Sequence, residues 1–242
     1  MFYYLLKYVL LGPLLRLVFR PRIEGLGHVP ATGAAIVAGN HLSFSDHFLM
    51  PAVLKRRITF LAKAEYFTGP GIRGRLIAFF FRSAGQIPVD RSGKDAGQAA
   101  IREGLGVLAK DELLGIYPEG TRSHDGRLYK GKVGVAVMAL RAGVPVVPCA
   151  MIGTFEAQPP GKVIPTPHPV TIRFGAPLDF SRYAGMENEK AILRAITDEI
   201  MYAILTLSEQ EYVDRYAAVV KAEEAEAAAA ERQRRFPRLP LR

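Results

Sequence analysis

Short apolar runs alternate along most of the chain with longer segments in which apolar residues recur every three or four positions. The short runs predict strands at residues 34–39, 58–62, 86–89, 113–117, 145–153 and 169–175. The longer segments predict helices at residues 43–54, with a break near Pro51, and at 71–84, 94–109, 134–143 and 188–207. Alternation on this scale is typical of an α/β fold. We therefore expect a central, mostly parallel or mixed sheet that is flanked by helices.

The first 19 residues depart from this alternation because they are apolar almost throughout. Lys7 and Arg16 interrupt the run, Pro13 could kink a helix here, and such a helix would be about 28 Å long. The segment does not resemble a signal peptide, because no charge precedes the apolar run and no small-residue cleavage site follows it. We expect an N-terminal membrane-associated helix that either spans the bilayer or lies in its interface. The alternative is a helix docked on the protein core.

A second apolar run, at residues 76–81, stands between arginines, with Arg73 and Arg75 before it and Arg82 after it. Six consecutive apolar positions are too many for the single buried stripe of a surface helix. Arginines on both sides of such a run can hold anionic headgroups while phenylalanines enter the acyl boundary. The segment predicts contact with a membrane surface, and burial in the protein core is the alternative.

Composition narrows the class of protein further. Hydrophobic residues make up 49% of the 242 residues and charged residues 23%, which excludes a wholly disordered chain. The single cysteine, Cys149, excludes a disulfide framework, and we expect no metal site.

The net charge of +9 is concentrated in residues 1–91, which hold twelve basic and four acidic side chains. Anionic membrane lipids are therefore expected partners. Nucleic acid is not, because the aromatic residues at 79–81 stand in one apolar run and are not interleaved with basic ones.

The first candidate for chemistry is the segment NHLSFSD at residues 40–46, between a predicted strand and a predicted helix. In one continuous helix His41 and Asp46 would point about 140° apart and could not touch. If His41 lies in the loop and Asp46 in the first turns of the helix, the two side chains can meet. Asp46 would then hold one ring nitrogen while the other accepts a proton. A simple helix-capping aspartate is the alternative.

Two further segments place arginines at the ends of predicted strands. YPEGTRS (117–123) puts Glu119 and Arg122 directly after one strand, and GQIPVDR (85–91) ends in Arg91. Ligands of α/β proteins bind at such sheet edges. Arg122 could hold a phosphate or carboxylate with two parallel hydrogen bonds. The alternative for YPEGTRS is a surface turn with an internal Glu–Arg pair.

The order of these segments is distinctive. NHxSxxD, GxIPVxR, YPEGTRS and then VPVVP at 144–148 resemble the glycerolipid acyltransferase family, and in particular its bacterial 1-acylglycerol-3-phosphate (lysophosphatidic acid) acyltransferases. Pro88 differs from the Phe of many members. Residues 130–134 follow the family's Lys-x-Gly segment only loosely, which leaves open which lysine faces phosphate, and we assign Lys130.

The resemblance implies an activity and a set of roles. His41 would take the proton from the sn-2 hydroxyl of 1-acylglycerol-3-phosphate as that oxygen attacks an acyl thioester, with Asp46 orienting the ring. The product would be phosphatidic acid. The acceptor site would be formed by Arg91, Glu119, Gly120, Arg122 and Lys130. The acyl-CoA or acyl carrier protein thioester is a co-substrate, and no cofactor is implied. Transfer would be direct, and we expect Cys149 to be buried and inert.

We divide the chain into an N-terminal membrane-associating segment (1–22), an acyltransferase domain (23–207) and a C-terminal helix with a disordered tail (208–242). The protein would work at the cytoplasmic face of the cell membrane, bound peripherally or through one inserted helix. Two other functions stay open. One is the same chemistry on a glycolipid, an aminoacyl lipid or another lysophospholipid. The other is a membrane lipid-binding protein without turnover, although pure binding has no need of a base such as His41.

Overall fold

The structure is a computed structural model that describes residues 2–90, 93 and 95–235. Within these ranges the strands are β1 (Arg22–Glu24), β2 (Ala35–Gly39), β3 (Ile58–Lys63), β4 (Gln86–Val89), β5 (Leu113–Ile116), β6 (Leu128–Tyr129), β7 (Val146–Ile152), β8 (Thr171–Phe174) and β9 (Tyr212–Val213). Seven of the described strands form one sheet in the order β1-β8-β7-β2-β5-β3-β4, and β6 pairs with β9.

The large sheet is mostly parallel, which confirms the expected architecture. Among its described strands, β7 and β8 run antiparallel and the other neighbours run parallel. Ala38 of β2 pairs with Ile116 of β5, so these two strands end at the same level of the sheet. The loop after β2 carries His41 and the loop after β5 carries Glu119 and Arg122. The sheet therefore brings the two candidate loops side by side at its carboxyl edge.

Helices cover both faces of the sheet. In the described ranges they are α1 (Phe2–Leu5), α2 (Leu11–Phe19), α3 (Asp46–Val53), α4 (Gly71–Ser83), α5 (Ala96–Leu108), α6 (Gly134–Ala142), α7 (Thr154–Ala157), α8 (Lys190–Ser208) and α9 (Ala217–Arg235). Helices α2 and α3 pack with Val37 and Ile172 on one face of the sheet. Helices α5, α6 and α8 pack with Ile36 and Val146 on the other. The result is a three-layer α/β/α arrangement.

Two local predictions were wrong. The helix predicted at 43–54 begins only at Asp46, and it continues through Pro51 to Val53 without a break. Pro51 lies two residues before the end of the helix, so its missing N–H removes one hydrogen bond and little of the helix follows it. The sequence pattern also failed to predict β1, which is three residues long and carries charged residues at both ends, and the two-residue strands β6 and β9.

Residues 2–19 form a helix with a π-helical turn at Leu6–Leu10, which joins α1 to α2. Pro13 lies in the first turn of α2, and a π turn before it accommodates the missing N–H and the bulk of the ring. Leu15 and Phe19 pack against the core, whereas Leu17 is 73% exposed. The segment is thus docked on the protein along one face and apolar on its outer face. Each helix in the described ranges is too short or too polar to cross a bilayer. Membrane association of this segment stays a prediction.

Helix α4 also divides its apolar residues between the core and the surface. Ala78 and Phe81 are buried, whereas Ile72, Leu76 and Phe79 are each more than half exposed. Burial therefore applies to one face of this helix, and contact of its exposed apolar face with a membrane surface stays a prediction.

The C-terminal helix α9 is anchored at its start. Ala217 and Val220 pack with Tyr129 and Val213, and residues 222–233 are exposed. The predicted disordered tail from residue 236 lies outside the described residues. The segment that begins at residue 208 is therefore packed, at least as far as Val220, against the domain that precedes it.

Candidate active site

The side chains of His41 and Asp46 are in contact, with one residue in the loop and the other in the helix, as the sequence predicts. His41 lies in the loop after β2, and Asp46 is the first residue of α3. The distance between His41 Nδ1 and Asp46 Oδ2 is 3.0 Å, and both side chains are buried. If Nδ1–H donates to the carboxylate, Nε2 carries the ring's lone pair. The pair therefore has the geometry of an oriented base.

Asp46 is held by the backbone of its own loop. Its Oδ2 atom also accepts the N–H groups of Leu42 and Ser43, both at 2.8 Å. These donors stabilise the ionised carboxylate at the start of a helix, where the helix dipole acts in the same sense. The two backbone N–H groups fix the carboxylate in one orientation. The carboxylate in turn fixes the His41 ring through its hydrogen bond with Nδ1.

Aromatic rings fix the plane of the His41 side chain. The ring stacks on Tyr117 with a centroid distance of 4.0 Å and an interplanar angle of 11°. Tyr117 stacks in turn on Phe60 at 5.5 Å, and the edge of His47 meets His41 at 4.9 Å. Burial raises the pKa of the Tyr117 hydroxyl. Tyr117 is thus a neutral stacking surface, and this function of the residue was missed from the sequence.

Side chains far away in the sequence hold the rest of the loop. Asn40 continues the pairing between β2 and β7, because its Oδ1 accepts from Met151 N at 2.7 Å and its Nδ2 donates to Met151 O at 3.0 Å. The hydroxyls of Ser43 and Ser45 donate to Gln158 Oε1 at 3.1 and 2.6 Å. The two serines therefore orient the turn.

Glu119, in the loop after β5, is hydrogen-bonded to the loop after β2 that carries His41. Its Oε1 accepts from His41 N and its Oε2 from Tyr129 N, both at 3.0 Å. Burial raises the pKa of Glu119 to about 8, while the two N–H donors and the charge of Lys221 act in the opposite direction. Since both oxygens are bonded to backbone groups, this geometry makes Glu119 a residue that positions His41. Direct contact of Glu119 with an acceptor stays a prediction.

The turn that contains Gly120 and Arg122 lies against the His41 loop. Ser123 N donates to His41 O at 2.7 Å, and Gly120 has a φ of +74°, which favours glycine. A Cβ atom at Gly120 would lie 3.0 Å from Cε of Lys132. Lys132, rather than Lys130, therefore lies over this turn.

The sequence match agrees with this site. Residues 20–152, more than half of the chain, match the model of a protein family described as Acyltransferase. The chain belongs to the acyltransferase family. The matched region contains His41, Asp46, Glu119 and Arg122.

Several proteins named as acyltransferases are similar to this chain. The 1-acyl-sn-glycerol-3-phosphate acyltransferase of Bacillus subtilis (strain 168) is 28% identical over 178 residues, which are 72% of this chain and 82% of that protein. The chloroplastic enzyme of the same name, LPAT1 of Arabidopsis thaliana, is 31% identical over 149 residues, which are 61% of this chain and 38% of that protein. The chain spans 54% of the Limnanthes douglasii relative.

A solved structure has the same fold. The crystal structure of the 1-acyl-sn-glycerophosphate (LPA) acyltransferase PlsC from Thermotoga maritima is 26% identical, with a TM-score of 0.56. The similarity covers 75% of this chain and 69% of that one. The family and the α/β architecture are therefore shown by both sequence and structure.

Lys130, which the resemblance assigned to the acceptor site, directs its side chain to residues outside the His41 loop. Lys130 Nζ lies 2.8 Å from Asp214 and lines a pocket of about 420 Å³ beside Arg194 of α8. Arg91 lies outside the described residues. The role of each in the acceptor site stays a prediction.

Cys149 lies in the core of the sheet of this acyltransferase-family protein, as expected. It is fully buried in β7, and burial raises the pKa of its thiol. A protonated thiol in this position is a poor nucleophile.

Proposed function

We propose that the protein transfers a fatty acyl group from a thioester to the sn-2 hydroxyl of 1-acylglycerol-3-phosphate, which gives phosphatidic acid. The observation that carries the proposal is the buried His41–Asp46 pair at 3.0 Å, in a loop bonded to the turn that carries Arg122. A phosphorylated acceptor fits that turn, because a guanidinium binds phosphate with two parallel hydrogen bonds. The relatives from Bacillus subtilis and Thermotoga maritima are named as acyltransferases of 1-acyl-sn-glycerol-3-phosphate and 1-acyl-sn-glycerophosphate, which supports the same acceptor.

His41 acts as the general base in this proposal. Nε2 removes the proton of the acceptor hydroxyl as its oxygen attacks the thioester carbonyl, and Asp46 stabilises the imidazolium through Nδ1–H. The new C–O ester bond replaces the C–S bond, and the imidazolium returns the proton to the departing thiolate. General-base catalysis of this kind contributes about 10²–10⁴-fold to the rate. The protein needs no covalent acyl intermediate and no metal or cofactor for this step.

The acceptor site would be built around the turn after β5. Gly120 and Arg122 supply flexible backbone and a guanidinium, Glu119 holds the backbone of both loops, and Arg91 and Lys130 add positive charge. The acyl donor is a thioester of coenzyme A or of acyl carrier protein. Both carry the same reacting bond, so the chemistry at His41 is the same for either donor.

The protein would collect its amphiphilic acceptor at the cytoplasmic face of the cell membrane. Val9, Leu14 and Leu17 in residues 2–19, and Leu76 in α4, are each more than half exposed. Arg73 and Arg75 lie close to Leu76 in the sequence. Apolar side chains beside arginines fit an interface between acyl chains and anionic headgroups.

The test is acyl transfer from long-chain acyl-CoA to lysophosphatidic acid, with acyl carrier protein as a second donor. Wild type should make phosphatidic acid, and His41→Ala should lose at least about 100-fold in kcat. His168→Ala, at a partly exposed histidine outside residues 40–46, is the matched control and should retain activity.

Other outcomes separate the alternatives. Transfer to a glycolipid or another lysophospholipid, with none to lysophosphatidic acid, would replace the acceptor and keep the mechanism. Lysophosphatidic acid binding without turnover on any acceptor would favour a lipid-binding protein. Full activity of His41→Ala, or acyl label retained on denatured protein, would contradict the mechanism.

A further inference from the structure

The chain that follows α8 returns to the loops of the candidate site. At the end of α8, Glu209 has a φ of +58°, and the chain turns there toward β9. Leu128 N then donates to Glu211 O at 2.9 Å, and β9 pairs with β6. Gln210 stands between the turn and this pairing. The register of the two short strands therefore places Gln210 beside the loop after β5.

The amide of Gln210 is bonded to both loops of the site. Its Oε1 accepts from Asn40 Nδ2 at 2.7 Å, and its Nε2 donates to Gly126 O at 2.5 Å. Asn40 is completely buried and directly precedes His41, and Gly126 lies in the loop after β5. One side chain thus uses its acceptor on the first loop and its donor on the second.

The bond from Gln210 complements the bonds that hold the backbone of His41. His41 N donates to Glu119 Oε1 at 3.0 Å, and His41 O accepts from Ser123 N at 2.7 Å. These two bonds restrain His41 itself, whereas Gln210 restrains Asn40, the residue before it. The direction of the imidazole ring depends on the backbone at both residues. Bonds from two separate parts of the chain therefore determine where Nε2 of the base points.

Asn40 has little freedom to compensate for the loss of this bond. Its Oδ1 accepts from Met151 N and its Nδ2 donates to Met151 O, so the second N–H of Nδ2 is the one that Gln210 accepts. A buried N–H group that loses its acceptor favours a rearrangement that finds another. An apolar side chain at position 210 would therefore disturb the residue directly before the base.

The chain after Gln210 makes further contacts with the loop after β5. Lys221 Nζ donates to the carbonyl oxygen of Arg122, and Glu224 lies 2.8 Å from the Nε2 atom of His124. Residues 209–224 therefore bind this loop at several points along its length. Such contacts restrain the loop that Gln210 joins to Asn40.

We infer that Gln210 is a positioning residue for the base His41, that it acts through Asn40, and that residues 209–224 hold the two loops of the site together. The inference rests on the proposed function and adds to it a part of the chain outside residues 20–152, which match the family model. A displacement of a catalytic group by 1 Å can cost about 10²-fold in rate. Loss of Gln210 should therefore slow the chemical step and leave substrate binding intact.

Steady-state kinetics on the full chain test this role. Gln210→Leu should lower kcat at least about tenfold and leave the KM values for lysophosphatidic acid and for the acyl donor within about twofold. Gln210→Glu keeps an acceptor for Asn40 and loses only the donor to Gly126, so it should recover most of the lost activity. Gln98→Leu, at an exposed position of α5, is the matched control. Thermal melting of every variant excludes loss of folding as the cause.

Two kinetic results would overturn the inference. One is a rise in the acceptor KM with unchanged kcat, which would place Gln210 at the substrate. The other concerns the route through Asn40. If Gln210 acts through Asn40, Gln210→Leu should add less than about twofold to the loss of kcat caused by Asn40→Ala. Losses that multiply in the double variant, or equal losses in Gln210→Glu and Gln210→Leu, would exclude that route.

A measurement without turnover keeps the inference separate from the proposed reaction. At a pH where the His41 ring is neutral, its ¹⁵N NMR shifts distinguish the Nδ1–H tautomer, which Asp46 binds, from the Nε2–H tautomer. Gln210→Leu should lower the ratio of the first to the second at least about threefold, because the ring is held less well against Asp46. Gln98→Leu should leave the ratio unchanged.

The two proposals can then fail independently. An equal tautomer ratio in wild type and Gln210→Leu would overturn the positioning role even if wild type is an active acyltransferase. If the ratio falls as expected and wild type shows no turnover, the positioning of His41 by Gln210 stands and the proposed reaction fails.

Discussion

Residues 40–46 and residues 2–19 depart from the usual distribution of polar and apolar side chains in opposite directions. In the first segment Asn40, Ser43 and Asp46 are completely buried, and in the second Val9 and Leu17 are 62% and 73% exposed. The buried polar groups are bonded within the protein, so intramolecular contacts explain the first segment. An exposed apolar face fits contact with an apolar surface outside the protein, and that contact stays a prediction. The proposed chemistry and the predicted membrane contact are thus assigned to separate segments, and each can be tested alone.

Of the predicted changes, removal of the Asp46 charge from the buried segment 40–46 should have the largest effect on activity. Asp46→Asn keeps an oxygen for the three N–H donors but cannot stabilise an imidazolium. We expect kcat to fall by about 10²–10⁴-fold with a nearly unchanged melting temperature. Asp179→Asn, at an exposed turn, is the control. Retention of more than a tenth of the wild-type kcat would show that Asp46 does not assist the base.

Polar substitutions on the outer face of α2, within residues 2–19, should weaken membrane binding alone. Leu14→Ser combined with Leu17→Ser should weaken binding to vesicles that contain anionic lipid by at least about tenfold, since each buried leucine contributes about 1.5–3 kcal/mol. Stability should not change. Leu15→Ala, on the inner face, should instead lower the free energy of unfolding by about 2–5 kcal/mol and leave vesicle affinity intact. Co-sedimentation with vesicles measures the affinity, and a denaturant titration measures the free energy of unfolding. Equal vesicle binding by the double variant and wild type would show that this face does not contact lipid.

Glu119→Gln tests whether Glu119 acts through His41. The amide nitrogen of glutamine cannot accept a hydrogen bond, so one of the two backbone N–H groups loses its partner. An unpaired buried donor costs about 1–3 kcal/mol. We expect kcat to fall about tenfold while the KM for lysophosphatidic acid stays within about twofold. Glu226→Gln, at an exposed position of α9, is the control. A large rise in the acceptor KM alone would instead place Glu119 in direct contact with the acceptor.

Lys7 joins the two regions, and its charge should make their contact dependent on pH. Lys7 lines a small cavity of about 30 Å³ together with Leu15 and with His47, whose ring meets His41. Burial lowers the pKa of Lys7 from 10.5 to about 8. Between these values the unfolded chain binds the proton and the folded chain does not, so the free energy of unfolding rises with pH.

Lys7→Met measures this contribution. Relative to the variant, wild type should gain about 1–2 kcal/mol between pH 7 and pH 9.5, because below pH 8 both states of wild type are protonated. Urea unfolding at the two pH values gives the difference. Parallel pH dependence in both proteins would exclude an unfavourable buried charge at Lys7.

Local patterns predicted much of the fold, because most strands of the sheet are short apolar runs between polar segments. The site was predictable only where its members are close in sequence, as His41 and Asp46 are. Glu119, Gln158 and Lys221 act through hydrogen bonds to residues at least 78 positions away, and no local pattern encodes such a contact. The π turn at Leu6–Leu10 escaped prediction for a different reason. It depends on how Pro13 and the underlying core constrain one helix, rather than on periodicity.

The pairing of β1 with β8 has a consequence during synthesis. Residues 22–24 pair with residues 171–173, so this edge of the sheet cannot close until about 150 more residues have been added. At about 5–20 residues per second, that takes roughly 8–30 s. The apolar segment 2–19 leaves the ribosome long before then, while the strand directly after it is still unpaired. The nascent chain therefore presents its apolar N-terminal segment to its surroundings for many seconds before the edge strand is locked in place.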